Sequence, residues 1–305
     1  MTRIVSLIAS ATEIVHALGL GQFQVGRSHE CDYPEAIRTL PVCTTPTFPM
    51  SGSSAEIDGL VKAKLTDAVS IYQVFPDILE ALQPTHIMTQ TQCKVCAVSV
   101  EDVERALAGR ISSRRPRVVA LEPNSLADIW ADIRRVADAC GIGARGDSLV
   151  EDLQNRMRAI AQRAANQPMR PRIACIEWQE PLMAAGNWVP ELVQMANGSN
   201  LFGQPGLHSP WMSWADLTAA DPDVIAVMPC GYDLARTRSE MHWLTQNPAW
   251  AGLSAVQNGR VYLADGNQYL NRPGPRIVES LQILAEILHP GAFAPALKNT
   301  AWEQA

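Results

Sequence analysis

Long apolar runs and an excess of positive charge are both missing from this sequence. No apolar run approaches the roughly 20 residues that a membrane-spanning helix needs. The chain has 305 residues, of which 25 are basic and 31 acidic, and its net charge is −6 without a basic stripe. These absences predict no membrane insertion and argue against nucleic acid as a partner. Apolar residues make up 47% and charged residues 18%, which is typical of a folded globular protein.

The pattern of a secretion signal is also missing from the N-terminus. Met1-Thr2-Arg3 leads directly into the apolar stretch 4–8, with no longer apolar segment and no small-residue cleavage site before it. We therefore expect a cytoplasmic protein, or a periplasmic one if a leader has been removed. The seven cysteines agree with a reducing compartment, because an odd number cannot pair completely within one chain.

The motifs of several large enzyme classes are missing as well. We find no nucleophile elbow, no phosphate-binding P-loop and no dinucleotide fingerprint. Gly19-Leu20-Gly21 follows a helical segment rather than a strand, so this segment is not a Rossmann phosphate loop. The sequence therefore carries none of the local motifs of these enzyme classes.

What is present is an alternation of short apolar runs with amphipathic segments. Helix starts are indicated by Ser or Thr followed three residues later by Glu or Asp, as in Ser10–Glu13, Ser99–Asp102 and Ser213–Asp216. Strands that alternate with helices favour an α/β fold with mostly parallel sheets. The predicted strands are 4–8, 25–28, 86–89, 117–121, 172–177, 224–228 and 260–264.

The middle of the chain predicts a long helix. Apolar residues recur at helical spacing over 147–165, and Asn166-Gln167-Pro168 ends the pattern. We expect two Rossmann-like α/β lobes with mostly parallel sheets, joined by this one connecting helix. The predicted boundaries are an N-terminal lobe over 1–143, the connecting helix over 144–168, a C-terminal lobe over 169–290 and a surface tail over 291–305.

Cysteines follow a predicted strand in each half of the chain. Cys93-Lys94-Val95-Cys96 comes after strand 86–89, and Cys230 comes after strand 224–228. Ligands of open α/β sheets bind at the carboxyl ends of strands. A Cys-x-x-Cys pair suits zinc, an iron–sulfur cluster or a disulfide, and a closed metal site needs about four ligands. Cys31, Cys230 and His29 could complete such a set with Cys93 and Cys96 if the lobes approach each other. The alternative is that these thiols only pack in the protein.

Further ligand-binding candidates lie in the other loops that follow strands. They are polar or aromatic residues, and aromatic rings can form flat walls for a bulky ligand. A histidine or tryptophan at such a position can equally be a packing residue, and both interpretations stay open. The candidates are His29, Glu30, Cys31, Glu177, Trp178, Trp188, Tyr232, Tyr269 and Arg272.

The chain resembles class III periplasmic binding proteins for vitamin B12 and iron–siderophore complexes, closest to the cobalamin-binding branch. The resemblance covers about residues 1–290, and the order of its motifs is more specific than any one of them. It is carried by Arg3-Ile4-Val5-Ser6-Leu7, Ala11-Thr12-Glu13-Ile14, Leu18-Gly19-Leu20, Pro84 with the strand after it, Pro222-Asp223-Val224-Ile225, Gly259-Arg260-Val261-Tyr262 and Arg272-Pro273-Gly274-Pro275-Arg276.

The resemblance implies a fold, a function and a partner. Such proteins have two α/β lobes joined by one long helix, capture a metal chelate between the lobes and deliver it to an ABC importer permease. They dock on the permease through one acidic residue on each lobe, and the matching positions here are Asp77 and Ala215 beside Asp216. Without a leader and with cysteine-bearing loops, this chain looks like a leaderless relative of the family.

Two functional hypotheses follow from the sequence. The first is a non-catalytic binding protein that clamps a metal-containing cofactor or chelate in the cleft, with cobalamin as the first guess and a ferric chelate or haem as the second. The alternative is a cytoplasmic metalloprotein or redox protein with a Cys-ligated zinc or iron–sulfur site. A disulfide between Cys93 and Cys96 that only closes its loop is a third possibility.

Overall fold

The computed structural model of this chain describes residues 2–66, 70–91, 98–108 and 115–305. By their contacts, the residues divide into two compact units, and the boundary in the middle of the chain falls inside one long helix. Unit 1 comprises Met1–Gly52, Glu56–Pro123 and Ala127–Asp152, and unit 2 comprises Ser53–Ala55, Asn124–Leu126 and Leu153–Ala305.

Unit 1 is built around a parallel sheet. Its two central strands are short and almost wholly buried, which is why they appear in the sequence as mainly apolar runs. Val5 and Ile87 are fully buried and lie opposite each other in the register of the first and fifth strands. The strands are β1 (Ile4–Ser6), β2 (Gln24–Arg27), β3 (Thr44–Pro46), β4 (Tyr72–Val74), β5 (His86–Gln90) and β6 (Arg117–Leu121). The sheet order is β2-β1-β5-β6, and β3 pairs separately with β4.

Unit 2 has its own sheet, in the order β12-β11-β10-β7-β8, with β9 also paired to β7. The three central strands run parallel, and β8 and β12 are antiparallel additions at the two ends. Ile225 and Val227 of the central strand lie in the apolar core of this unit. The strands are β7 (Arg172–Trp178), β8 (Met183–Ala184), β9 (Ser199–Asn200), β10 (Val224–Val227), β11 (Val261–Ala264) and β12 (Trp302–Gln304).

The helices follow the strands as the alternation predicts, and the predicted α/β class with mostly parallel sheets is confirmed. The predicted long helix is observed as a 23-residue helix that ends at Ala165. No helix in the described ranges has the length and apolar character of a membrane span. The helices are α1 (Ala9–Ala17), α2 (Ser54–Thr66), α3 (Pro76–Leu82), α4 (Val100–Leu107), α5 (Leu126–Ala139), α6 (Gly143–Ala165), α7 (Val189–Met195), α8 (Trp214–Ala220), α9 (Leu234–Glu240), α10 (His242–Thr245), α11 (Ser254–Gln257) and α12 (Ile277–Leu288).

The C-terminal residues differ from the predicted surface tail. Strand β12 pairs with β11, and Trp302 is buried. Its indole Nε1 donates a 2.7 Å hydrogen bond to Oε2 of Glu286, a carboxylate that is itself buried within α12. A three-residue strand has no readable period, and its pairing with a distant strand is not visible in the local sequence.

Candidate functional site

The loop after β2 holds the first group of candidates, and Cys31 is the most deeply buried of them. Its side chain is 1% exposed and packs in a small cluster with Ala9 and Ile37. The thiol accepts a 3.1 Å hydrogen bond from the Thr12 hydroxyl and lies 3.2 Å from the Ser28 hydroxyl. Burial raises the pKa of the Cys31 thiol. Because metals bind the thiolate, this environment suits a packing residue better than a zinc or iron ligand.

His29 is held in one orientation by Thr44. Its backbone N–H donates to Oγ1 of Thr44 at 3.2 Å, and its Nδ1 lies 2.9 Å from the same oxygen. The ring also packs against Tyr72, with 5.4 Å between the ring centroids. Burial first, and then the positive charge of Arg27, lower the pKa of His29 to about 4. The imidazole is therefore neutral at pH 7.

Glu30 places a carboxylate beside this imidazole. Its Oε1 lies 3.8 Å from Nε2 of His29 and accepts a 3.4 Å hydrogen bond from the Tyr72 hydroxyl. The side chains of His29 and Glu30 are 24% and 37% exposed. The loop thus presents a neutral nitrogen and a carboxylate to solvent, while Cys31 faces inward.

In unit 2, Glu177 is a buried carboxylate one residue before the end of β7. Its Oε2 accepts a 2.8 Å hydrogen bond from the Ser209 hydroxyl, whose oxygen in turn accepts from the Gly186 backbone N–H at 3.0 Å. Glu177 is 8% exposed. These bonds join β7 to the segment around Ser209, so the carboxylate holds the loops in place as well as lying near the surface.

Trp178 begins a row of large side chains across the edge of this sheet. It lies opposite Met183 in the β7–β8 register, and Met183 forms an isolated bridge with Trp211. Residues directly opposite each other project to the same face of a sheet. Trp178 and Met183 are half-buried, and Trp211 is 56% exposed. We call these three residues, two tryptophans and one methionine, the aromatic row.

Tyr232 packs against Trp178 of the aromatic row. Its ring centroid lies 5.3 Å from that of Trp178, and the Arg236 guanidinium lies 4.8 Å from the Tyr232 centroid on the ring face. Tyr232 is only 6% exposed. It therefore positions Trp178 more than it presents a surface of its own.

Trp188 is a buried anchor. It is 5% exposed, and its Nε1 donates a 3.0 Å hydrogen bond to the carbonyl oxygen of Leu270. The bond ties the start of α7 to the turn that follows β11. Trp188 is too deeply buried in this structure for its ring to form a wall of a ligand site.

The turn after β11 contains Tyr269 and Arg272. Residues Gly266–Leu270 form a single π-helical turn, a rare conformation that is frequent at functional sites. The half-buried Tyr269 ring has the Arg276 guanidinium 5.0 Å from its centroid. Arg272 is 4% exposed and donates to Oδ1 of Asn267 at 3.0 Å, so its charge stays within the protein.

A cysteine-ligated metal site is not supported by the described residues. Cys93 and Cys96 lie outside them. Cys230 is half-buried, and its backbone N–H donates to the Glu177 carbonyl oxygen at 3.2 Å. Within the part of the chain that the structure describes, no group of three or more His, Cys, Asp or Glu side chains is arranged to hold a metal ion.

Four residues beside these candidates were missed in the sequence. Thr44 and Tyr72 lie on β3 and β4, two strands of three residues each, which are too short to show a reliable period. Met183 and Trp211 are 28 residues apart and meet only through a long-range bridge. No local sequence pattern predicts the pairing of β3 with β4 or the bridge between Met183 and Trp211. The exposed Trp211 is itself an unusual surface residue.

Comparison with known proteins gives a consistent match over most of the chain. The sequence profile of the family described as periplasmic binding protein matches residues 4–267. A vitamin B12-binding protein of Vibrio cholerae serotype O1 is 23% identical over 285 residues, which cover 92% of this chain and 86% of the relative. An uncharacterized ABC transporter substrate-binding lipoprotein of Bacillus subtilis is 22% identical over 301 residues, covering 95% of this chain and 81% of the relative.

A solved structure has the same fold. The periplasmic heme-binding protein of Roseiflexus sp. RS-1, in its apo form, superposes with a TM-score of 0.70 at 23% sequence identity. The match covers 95% of this chain and 99% of that chain. At this identity, the likeness establishes the fold alone.

Proposed function

The chain belongs to the periplasmic binding protein family, and we propose on this premise that it is a non-catalytic binding protein for a metal-containing macrocycle or chelate. Cobalamin is the first candidate, because a relative over most of the chain is a vitamin B12-binding protein. Haem is the second candidate, because a heme-binding protein shares the fold. A ferric chelate is the third.

The aromatic row is the observation that carries this proposal. Trp178, Met183 and Trp211 form an apolar strip at the carboxyl end of β7, and Trp211 is 56% exposed. An exposed tryptophan beside two half-buried apolar side chains on the same face supports a binding surface there. Flat aromatic faces suit a planar or gently curved macrocycle, which can stack on them and contact the thioether of Met183.

Binding can be tested by the fluorescence of the tryptophans. We expect cyanocobalamin or haemin to quench the emission of the purified chain in a saturable way, with Trp178 and Trp211 contributing most. Replacement of Trp211 by serine removes a ring that is 56% exposed, so the fold should persist while quenching and affinity fall. Linear quenching without saturation for every macrocycle would reject the proposal.

We further propose that an ABC importer permease is the partner. A relative over 95% of the chain is an ABC transporter substrate-binding lipoprotein. Asp77 is exposed in the first turn of α3, and Asp216 is exposed in the first turn of α8. Asp216 also caps its helix, because its Oδ2 accepts from the Ser213 backbone N–H at 2.9 Å. Two exposed carboxylates suit a partner with cationic side chains at matching positions.

Reversing the charge of an exposed acidic residue tests docking on the permease separately from ligand binding. We expect Asp77→Lys to abolish chemical cross-linking to the permease in membranes of the source cell, with the affinity for the ligand unchanged. Glu35→Lys is the control, because Glu35 is also exposed but lies on a different segment. Equal cross-linking of both variants would contradict this role of Asp77.

A further inference from the structure

The imidazole of His29 has the features of a metal ligand that is already in position. Thr44 Oγ1 accepts from the His29 backbone N–H and lies 2.9 Å from Nδ1, so the loop and the ring are fixed by one oxygen. When the second ring nitrogen binds a metal, Nδ1 carries the proton and donates it to such an acceptor. Thr44 can accept both hydrogen bonds, since a hydroxyl oxygen has two lone pairs.

Within the described ranges, the other ring nitrogen, Nε2, makes no hydrogen bond. The contact that the structure gives to Nε2 is the 3.8 Å approach of Glu30 Oε1, which is too long for a hydrogen bond. In the neutral tautomer whose Nδ1–H donates to Thr44 Oγ1, the lone pair that a metal would need lies on Nε2. Tyr72 packs against the ring and restricts its rotation.

Glu30 adds a compensating charge. Its carboxylate lies beside Nε2 and is 37% exposed, and the Tyr72 hydroxyl holds its Oε1 at 3.4 Å. Ferric haem and cobalt(III) corrins carry a positive charge at the metal centre. A neutral nitrogen with a carboxylate beside it suits such a centre, whereas the two ligands are too few to hold a bare ion in a closed site.

We propose that Nε2 of His29 is an axial ligand to the metal of the cargo, and that the protein therefore selects chelates with an exchangeable axial position. This inference rests on the proposed function and narrows it. In the binding step the imidazole lone pair replaces a water molecule on the metal, the water leaves, and no electron is transferred. Ferric haem and diaquocobinamide have such a position, whereas a hexadentate ferric siderophore does not.

The experiment is a titration of the full-length protein with haemin and with diaquocobinamide, followed by visible absorbance and by tryptophan quenching. We expect the visible bands of both probes to shift to those of an imidazole complex. His29→Ala should remove that shift and weaken binding by at least about tenfold. Added free imidazole should restore the bands in this variant. Ferrioxamine B, which fills all six positions of its iron, should not compete.

Two further variants keep the result interpretable. His242→Ala is the matched control, because His242 is an exposed histidine of unit 2 and should leave the bands unchanged. Thr44→Val keeps the imidazole but removes its acceptor, so the shifted bands should remain while affinity falls by about tenfold. Thr44→Val behaving as wild type would overturn the positioning role of Thr44.

The possible failures are distinguishable. Saturable quenching with identical bands in wild type and His29→Ala would overturn the axial ligand and leave the binding function standing. Stronger binding of ferrioxamine B than of either macrocycle would overturn the selectivity. The absence of saturable quenching by every probe in the wild type would overturn the proposed function itself.

Discussion

At the scale of single residues, Trp178 and Trp188 show how two similar side chains take different roles. Trp178 is half-buried in the aromatic row, whereas Trp188 is 5% exposed and donates its Nε1 proton to the Leu270 carbonyl. Trp178 is the last residue of β7 and Trp188 comes ten residues later, and the sequence made both of them candidates for the site. The two tryptophans differ in how deeply they are buried, which their positions in the chain do not reveal.

Replacement of Trp178 by leucine should therefore act on binding. The change removes the stacked ring but keeps an apolar side chain at a half-buried position. We expect the affinity for the macrocycle to fall by about tenfold, which is about 1.4 kcal/mol, with little effect on thermal stability. Isothermal titration calorimetry of the variant measures the first effect and a melting curve measures the second.

Trp188→Phe is the counterpart. It leaves the Leu270 carbonyl without its donor and a gap in a packed region, so the free energy of unfolding should fall by about 1–3 kcal/mol while the ligand affinity stays the same. Urea unfolding gives the loss. If Trp188→Phe weakened binding more than Trp178→Leu, the division of roles between the two tryptophans would be wrong.

His29 makes the protein sensitive to mild acid. Its pKa is about 4 in the folded chain and near the ordinary 6.5 in the unfolded chain. The unfolded state therefore binds the proton first as the pH falls, so the stability contributed by the neutral ring is complete above pH 6.5. It is lost progressively between pH 6.5 and 4. We expect this loss to be about 2–3 kcal/mol.

His29→Gln isolates that contribution, because burial also lowers the pKa of His16 and of His289. The free energy of unfolding at pH 7 and at pH 4.5 should decline less in the variant than in the wild type. Parallel declines in the two proteins would show that the folded imidazole is not protected from protonation.

At the scale of elements, the turn after β11 depends on the close approach of two backbones. A Cβ at Gly266 would meet the carbonyl oxygen of Pro229 and would lie 2.7 Å from that of Met228. The backbone N–H of Gly266 also donates to the Tyr232 carbonyl at 3.0 Å. Only glycine lets the π-helical turn pack against the end of β10.

Gly266→Ala should force this turn away from β10. We expect a loss of about 1–3 kcal/mol in the free energy of unfolding, since the obstacle is backbone that cannot rotate away. Gly252→Ala is the control, because no atom of the described residues lies within 4 Å of the added Cβ there. Equal melting temperatures for the two variants would contradict the close approach.

The C-terminal strand is fastened by a buried carboxylate. Glu286 accepts from Trp302 Nε1 at 2.7 Å and from the backbone N–H groups of Ala296 and Leu297 at 3.2 Å each. Trp302→Phe should cost about 1–3 kcal/mol, because it removes one donor from a charge that is 1% exposed. Trp214→Phe, at a half-buried ring, should cost less in the same unfolding assay.

Much of the element order could be predicted from the sequence, for reasons that differ from element to element. Seven strands were predicted from short, mainly apolar runs, namely β1, β2, β5, β6, β7, β10 and β11. The short strands β3, β4, β8, β9 and β12 were not predicted. The capping box at Ser213 is confirmed, since both of its hydrogen bonds are local. The same signal at Ser10 was wrong: α1 starts at Ala9 with Ile8 as its N-cap, and Ser10 is buried inside it.

The candidate site was less predictable than the fold. Chain position identified the loops, but it contained no information on which side chains turn inward, as Cys31 and Arg272 do. The residues that orient the surface groups, such as Thr44 for His29, come from β3 and β4, which the sequence analysis did not predict. Pairing between distant short strands is set by packing, and local patterns do not record it.

At the scale of the whole molecule, family membership and side-chain chemistry point in the same direction. The family match covers residues 4–267, and the aromatic row and His29 are groups that suit a metal macrocycle. The described residues give no support to a cysteine-ligated metal centre. Our main prediction is therefore that the protein captures a metal macrocycle.

The most direct test is isothermal titration calorimetry of the purified full-length chain with cyanocobalamin, diaquocobinamide and haemin in turn. We predict saturable binding of at least one macrocycle at a single site, with a Kd of about 1 μM or lower. Diaquocobinamide or haemin should bind more tightly than cyanocobalamin, whose axial positions are both occupied. The absence of saturable heat for all three macrocycles would contradict the central claim.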